Sequence, residues 1–121
     1  MVRILGNNLS NRKKVYIALT AIYGIGIPTS KNILASLNID PNIKVADLTE
    51  TNISNIRDYL ETENFQLEGD LKRLISLNIK RLVEINSVRG RRHIKGLPVR
   101  GQRTRTNNRT SRKLGLFTRK Y

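Results

Sequence analysis

The chain contains no cysteine and no tryptophan, and its 121 residues include only one histidine and three prolines. Without cysteine it can form no disulfide framework, no thiolate nucleophile and no cysteine-based zinc site. No apolar run reaches the 18 residues that a membrane-spanning helix needs, and the N-terminus lacks the apolar run of a signal peptide. We therefore expect a protein with no membrane partner, in a cytosolic or organellar interior.

The residues needed for catalysis are also scarce. The single histidine, His93, lies in an arginine cluster whose positive charge disfavours its protonated form, so a role as general base is a poor fit. It is better suited to stacking on a base or contacting a phosphate. The carboxylates Asp58, Glu61 and Glu63 are spaced as solvated residues on polar helix faces. The sequence therefore predicts a protein that is not an enzyme and needs no cofactor or metal.

Positive charge is abundant and unevenly distributed. The net charge is +14; residues 1–86 carry 11 basic and 9 acidic side chains, whereas residues 87–121 carry 12 basic and none acidic. A block of one sign requires a polyanionic partner or strong solvation. Nucleic acid is the first candidate. A solubility tail, a targeting tail and a nuclear localisation run are the alternatives.

Apolar residues at helical spacing predict four helices between residues 12 and 86. The first covers 14–23 and ends at Gly24, the second is capped by Thr29 or Ser30, and the third is capped near Thr49 or Thr51. A long fourth helix begins near Gly69 and aligns an apolar stripe of Leu71, Leu74, Ile75, Leu82 and Ile85, interrupted by Asn78. Because alternating patterns are scarce, we predict an all-α domain over 1–86, with a strand at 2–5 as an open alternative.

Residues 87–121 show no comparable pattern. The segment SVRGRRHIKG offers at most one helical turn, and the rest offers none. We predict an extended basic tail that is disordered alone. Within it Arg100, Arg103 and Arg105 alternate with neutral donors and acceptors, and arginine outnumbers lysine by nine to three. Guanidinium forks suit the phosphates and bases of structured RNA, and the glycines and proline of this tail fix bends along its path.

The stretch YGIGIPTSK places two glycines between helices. Glycines there allow positive φ and close backbone approach, and amides at the next helix start can bind a phosphate, as in helix-hairpin-helix modules. Lys31 is the candidate ion-pairing side chain. A simple tight connection between helices explains the same glycines. A DNA-binding or glycosylase-type helix-hairpin-helix protein and a free RNA chaperone are therefore rival functions.

The tail RGRRHIKGLPVRGQRTRTNNRTSRK closely resembles the signature of the thirteenth protein of the small ribosomal subunit. The stretches IALTAIYGIG at 17–26 and EGDLKRLISLNIKRL at 68–82 also resemble that family. The resemblance implies a helical domain with a helix-two-turns-helix element and a long helix, followed by an extended basic C-terminal tail. It also implies a structural role in the head of the small subunit, near the tRNA sites.

The implied partners are small-subunit rRNA, the nineteenth small-subunit protein and, across an intersubunit bridge, the fifth large-subunit protein. Contact with peptidyl-site tRNA is left open because the chain ends soon after RTSRK with LGLFTRKY. That short end favours an organelle-encoded mitochondrial member, with a plastid or the bacterial cytoplasm as alternatives. The family often has Lys and Thr after the glycine turn, where this chain has Ile27 and Pro28.

The resemblance also implies a set of RNA contacts, to which five further basic residues are added for their charge. The implied contacts are Arg89, Arg91, Arg92, His93, Gly96, Leu97, Pro98, Arg100, Gly101, Gln102, Arg103, Thr104, Arg105, Thr106 and Asn107. The added residues are Lys31, Lys95, Arg109, Arg112 and Lys113.

Overall fold

The computed structural model describes the backbone of residues 2–118 and the side chains of residues 2–113. Its elements, in chain order, are β1 Val2–Ile4, β2 Asn7–Leu9, α1 Val15–Ala18, α2 Ile27–Ser36, α3 Glu50–Thr62, α4 Glu68–Glu84, α5 Val88–Lys95 and α6 Arg109–Thr118, with 3-10 turns at Leu19–Ala21 and Val45–Asp47. The chain divides into two compact units, and the boundary between Leu71 and Lys72 falls inside α4. The unit before this boundary is called unit 1 and the unit after it unit 2.

The N-terminus of unit 1 is a β-hairpin, so the all-α prediction is wrong there. Strands β1 and β2 pair antiparallel with Ile4 opposite Asn7. The two residues of the turn, Leu5 and Gly6, both have positive φ, at 49° and 80°, as in the two-residue turns that match strand twist. Ile4 and Leu9 are buried, which holds the hairpin on the helices.

Unit 1 contains the whole buried apolar core of the described residues. Its members come from the hairpin, the first three helices and the segments between them: Ile4, Leu9, Val15, Ala18, Leu19, Ile22, Ile25, Ile33, Leu34, Ile39, Val45, Ile56, Leu60 and Leu67. The residues that formed the predicted apolar stripes of the first three helices supply much of this core. A helix is present in each of the three regions, but the first, predicted over 14–23, is α-helical only over Val15–Ala18 and continues as the 3-10 turn Leu19–Ala21.

Helix boundaries in unit 1 follow local capping chemistry. The Thr49 hydroxyl accepts a hydrogen bond from the Asn52 amide at 3.3 Å and begins α3, as predicted. By contrast α2 begins at Ile27, two residues before the predicted cap at Thr29. Gly26 takes the extended N-cap conformation and Pro28 lies in the first turn, where its missing N–H costs nothing.

Glu68, the first residue of α4, ties together three distant parts of unit 1. Its Oε1 accepts hydrogen bonds from the Asn7 side chain and from the Tyr23 amide, both at 2.7 Å. One carboxylate therefore joins the hairpin, the glycine turn and the start of the long helix.

Unit 2 is helical where an extended tail was predicted from residue 87, so that prediction is wrong for α5 and for the described part of α6. The predicted long helix is confirmed as α4, but its apolar stripe is not buried: Leu74 and Ile75 are 36% and 42% exposed. Residues 96–108, between α5 and α6, are irregular. The last residues, 119–121, lie outside the described part of the chain.

Candidate nucleic-acid interface

The two units differ sharply in charge. Unit 1 has seven basic and eight acidic side chains, a net charge of −1, whereas unit 2 has sixteen basic side chains and only Glu84 as an acid, a net charge of +15. The charge of the chain therefore resides in unit 2, and it begins on α4 rather than at residue 87. Such a surface attracts a polyanion over a long range.

A tight junction between α4 and α5 organises unit 2. The Ser87 hydroxyl accepts a hydrogen bond from the Gly90 amide at 3.0 Å and donates one to the Leu82 carbonyl at 2.9 Å. Gly90 is buried there, and a Cβ on it would lie 2.2 Å from the Leu82 carbonyl oxygen. Only glycine fits this approach, so Ser87 and Gly90 together set the direction in which α5 leaves α4.

Five of the predicted RNA-binding side chains lie on α5: Arg89, Arg91, Arg92, His93 and Lys95. Partial burial of the imidazole lowers the pKa of His93, and the positive charge of Arg89 lowers it further. The predicted direction of this shift is confirmed, although burial contributes more than the neighbouring charge. The lowered pKa favours the neutral imidazole of His93, which can act as a hydrogen-bonding group.

The C-terminus of α5 is closed by a glycine cap and an arginine. Gly96 adopts the left-handed conformation with φ of 67°, and its amide bonds the His93 carbonyl at 3.2 Å. The Nε of Arg92 donates to the Pro98 carbonyl at 2.8 Å. Arg92 therefore has a structural role in folding the chain back after α5, which its place in the sequence motif does not reveal.

The segment from residue 100 to residue 107 forms an exposed loop between two buried residues. Pro98 is buried on one side of it and Asn108 on the other, while every residue from 100 to 107 is exposed. Gly101 and Asn107 have φ of 73° and 59°, which bends the backbone at both ends of the loop. The predicted bend at Gly101 is confirmed.

This exposed loop carries the alternating part of the motif. Its side chains comprise three arginines separated by neutral hydrogen-bonding groups: Arg100, Gln102, Arg103, Thr104, Arg105, Thr106 and Asn107. The guanidinium groups can each donate two parallel hydrogen bonds to a phosphate, and the amides and hydroxyls can bond sugars or base edges.

Helix α6 is attached to the end of α5. The Ser111 hydroxyl donates to the Gly96 carbonyl at 2.9 Å, across 15 residues of sequence. The charged residues Arg109, Arg112 and Lys113 of this helix are exposed. Unit 2 therefore presents α5, the exposed loop and the start of α6 as one connected basic surface.

Lys31 and the glycine turn belong to unit 1. The Lys31 ammonium lies 5.4 Å from the centre of the Tyr16 ring, a cation–π contact within that unit. At the turn, Gly24 has φ of 106°, and a Cβ on it would lie 2.9 Å from a Leu67 methyl carbon. The nearby Glu68 carboxylate, bonded to the Tyr23 amide, would repel a phosphate. These contacts favour the tight helix connection over the phosphate-binding alternative.

Sequence reasoning missed four residues that shape unit 2: Ser87, Gly90, Asn108 and Ser111. Ser87 carries a recognisable signal, because a serine directly before a helical segment is a common N-cap. Gly90 also stands out, since a glycine inside a helix is disfavoured unless close packing requires it. Asn108 also directly precedes a helix, α6, and asparagine is a preferred N-cap residue. Ser111 carries no such signal in the sequence.

Among the described residues, no helix is long and apolar enough to cross a membrane. Within the same residues, no group of histidine and carboxylate side chains could hold a metal ion.

A family model described as ribosomal protein S13/S18 matches residues 3–110. The small ribosomal subunit protein uS13c of Pyropia yezoensis is 57% identical over 112 residues, which cover 93% of this chain and 88% of the relative. The small ribosomal subunit protein uS13 of Rippkaea orientalis (strain PCC 8801 / RF-1) is 54% identical over 112 residues, covering 93% and 87%. These relatives give the predicted mitochondrial location no support and fit the plastid or bacterial alternative. With most of its length matched, including α5 and the exposed loop, the chain belongs to the ribosomal protein S13/S18 family.

Proposed function

We propose that the chain is a non-catalytic structural component of the small ribosomal subunit that binds rRNA through unit 2. The family membership and the two relatives named as small-subunit proteins support this role. The observation that carries the RNA contact is the exposed loop 100–107, whose three arginines project between the buried residues Pro98 and Asn108.

The mechanism is neutralisation of phosphate charge on a preshaped surface. Unit 2 carries a net charge of +15, so its approach to rRNA releases condensed counterions and makes binding strongly dependent on salt. The anchored ends of the exposed loop limit the chain entropy that is lost when its arginines engage the RNA. The nearly neutral unit 1 is then free to contact proteins.

We also propose a position for the chain in the small subunit and its protein partners there. The chain lies in the head of the small subunit, contacts the nineteenth small-subunit protein, and forms an intersubunit bridge with the fifth large-subunit protein. It lies near the tRNA sites. Crosslinking on translating ribosomes tests whether the chain also contacts peptidyl-site tRNA.

Salt-dependent binding of the full chain to a small-subunit rRNA transcript tests the RNA contact. The triple variant Arg100→Gln/Arg103→Gln/Arg105→Gln should lower the slope of log affinity against log salt by about 2 to 3, from about 0.7 to 0.9 for each phosphate contact. A matched control on α4, Arg73→Gln/Lys80→Gln/Arg81→Gln, removes the same charge from the same unit. Equal losses for both variants would reduce unit 2 to a generic polycation and contradict the proposed contact.

A second experiment tests the shape of the loop. Gly101 has positive φ, and a Cβ added to it would meet no atom within 4 Å, so Gly101→Val strains the backbone without a steric clash. We expect this variant to sediment less completely with the small subunit, although its net charge is unchanged. Wild-type sedimentation would show that the bend at Gly101 is dispensable.

A further inference from the structure

A pair of lysines in unit 1 faces each other across an isolated antiparallel bridge. Lys14 precedes α1 and Lys44 precedes the 3-10 turn Val45–Asp47, and both have extended backbone. The flanking hydrogen bonds run from the Val15 amide to the Ile43 carbonyl at 2.8 Å and from the Val45 amide to the Lys13 carbonyl at 3.0 Å. This pattern defines a non-hydrogen-bonded pair, in which opposite side chains come closest together.

The bridge is held firmly by its neighbours. Val15 and Val45, the residues that follow the two lysines, are both buried in the core of unit 1, whereas Lys14 and Lys44 are exposed. The buried valines therefore fix the backbone positions from which the lysines project. Opposite residues in such pairs have Cβ atoms about 4.5 to 5.5 Å apart, and like charges placed there are destabilising.

The surroundings do not neutralise this pair. Arg12 and Lys13 lie directly before it and add two exposed cations. The nearest carboxylates in sequence are Asp40 and Asp47, and Asp40 accepts a hydrogen bond from the Asn42 amide at 2.9 Å. Lys14 reaches only the neutral side-chain oxygen of Asn42, at 3.5 Å. Within residues 2–118, neither Lys14 nor Lys44 forms an ion pair with a carboxylate.

We propose that Lys14 and Lys44, supported by Arg12 and Lys13, form a second phosphate-binding surface that contacts the rRNA backbone from unit 1. Two exposed lysines at opposite positions of a fixed backbone bridge, without carboxylate ion pairs, repel each other in the free chain. A phosphate bound between their ammonium groups would remove this repulsion. Lysine acts on phosphate as a point charge, without the directional fork of arginine. This surface therefore positions the RNA backbone and does not read its sequence.

The inference takes rRNA as the partner from the proposed function, but it concerns residues on the other unit. The test uses the full chain with the variant Lys14→Gln/Lys44→Gln and a control, Lys80→Gln/Arg81→Gln, that removes the same charge from α4. The lysine-pair variant should lower the salt slope of rRNA binding by about 1.4 to 1.8 and lower it more than the control does. Its melting temperature should stay the same or rise, because a repulsive pair is removed.

Hydroxyl-radical footprinting on the same transcript distinguishes the two surfaces. The lysine-pair variant should lose protection of one set of nucleotides, and the triple variant Arg100→Gln/Arg103→Gln/Arg105→Gln should lose a different set. An unchanged slope, or loss of the same nucleotides in both variants, would overturn the second surface. Normal rRNA binding combined with poor assembly into the subunit would reassign the pair to an acidic protein surface and overturn the RNA contact. Wild-type rRNA binding by the triple variant, together with a lowered slope for the lysine-pair variant, would contradict the proposed contact through the exposed loop and leave this inference standing.

Discussion

Unit 1 and unit 2 are stabilised by different means although they share one helix. Unit 1 buries fourteen apolar side chains between Ile4 and Leu67. In unit 2, among side chains described up to residue 113, the buried residues are Gly90, Pro98 and Asn108, and the structure is held by caps and by hydrogen bonds from hydroxyl and guanidinium groups. The comparison shows how a domain with a core can carry a highly charged region that has a defined path without a core of its own.

The charges of the two units are consistent with an apolar core in unit 1 and none in unit 2. With sixteen basic side chains and one acid, a large apolar core in unit 2 would form against strong repulsion between like charges. Local hydrogen bonds, such as the one from the Ser87 hydroxyl to the Leu82 carbonyl, order only a few residues each and therefore cost little chain entropy. They fix the turns of unit 2. Under the proposed function, binding to rRNA would remove this repulsion and stabilise unit 2 further.

The largest loss of stability should come from a substitution that opens a cavity in unit 1. Leu34 is fully buried, so Leu34→Ala should lower the free energy of unfolding by about 2 to 5 kcal/mol. Leu77 of α4 is 53% exposed, and Leu77→Ala should change it by no more than about 0.5 kcal/mol. Urea unfolding measures both. Similar losses for the two variants would remove the distinction between a unit with a core and a unit without one.

The next largest loss of stability should come from a substitution at the α4–α5 junction. Gly90→Ala places a methyl group 2.2 Å from the Leu82 carbonyl oxygen, so α5 must shift, at a cost of about 1 to 3 kcal/mol. Amide hydrogen exchange should show faster exchange in α5 and unchanged exchange in the core of unit 1. Gly69 has no atom within 4 Å of a Cβ position, and Gly69→Ala serves as the control. Equal protection of α5 in both variants would contradict the tight junction.

A smaller effect compares the same cap in the two units. Ser87 caps α5 and Thr49 caps α3, each by accepting an amide hydrogen bond, so Ser87→Ala and Thr49→Ala should each cost about 1 kcal/mol. Amide hydrogen exchange should accelerate more in α5 after Ser87→Ala than in α3 after Thr49→Ala. Helix α3 is also held by Ile56 and Leu60, which are buried in the core. A larger local effect at Thr49 would reverse the comparison.

The smallest effect is the response of unit 2 to pH. The folded-state pKa of His93 is lowered, so the unfolded chain binds a proton more readily. The neutral form of His93 therefore costs the folded state nothing above the ordinary pKa of about 6.5. As pH falls below that value towards the folded-state pKa, the free energy of unfolding decreases. Melting temperatures between pH 7.5 and 5 should therefore fall slightly more for the wild type than for His93→Gln. Identical pH profiles would show that His93 titrates alike in both states.

Each element was predictable from the sequence to the extent that its stability depends on a repeating apolar pattern. Helices α3 and α4 were predictable because their apolar residues recur with helical period over 13 and 17 residues. Strand β1 matches the strand that was left open at 2–5, whereas β2 and the pairing of the two strands were missed because strands of three residues are too short to show alternation. Helix α5 was missed because it has no apolar stripe, and the caps Ser87 and Gly96 define its ends instead.

The residue types of the candidate interface were predictable. Which of these residues bond to the protein itself and which remain exposed was not. Three arginines of one motif differ in role: Arg92 bonds the Pro98 carbonyl, whereas Arg103 and Arg105 are exposed on the loop. Arg92 lies on α5 before the turn made by Gly96 and Pro98, and the other two arginines lie after it. The lysine pair Lys14 and Lys44 was missed because thirty residues of sequence separate two side chains that a single bridge brings together.

The hydrogen bond from Ser111 to the Gly96 carbonyl has a consequence for the order of folding. It spans 15 residues, and the bonds made by Ser87 and Arg92 span five and six, whereas the Asn7–Glu68 bond of unit 1 spans 61. Loops of about ten residues close within roughly 10 to 100 ns, and chains with short-range contacts fold faster than those with long-range contacts. We therefore expect that, when the full chain refolds from denaturant, unit 2 forms its short-range contacts before unit 1 has closed its core.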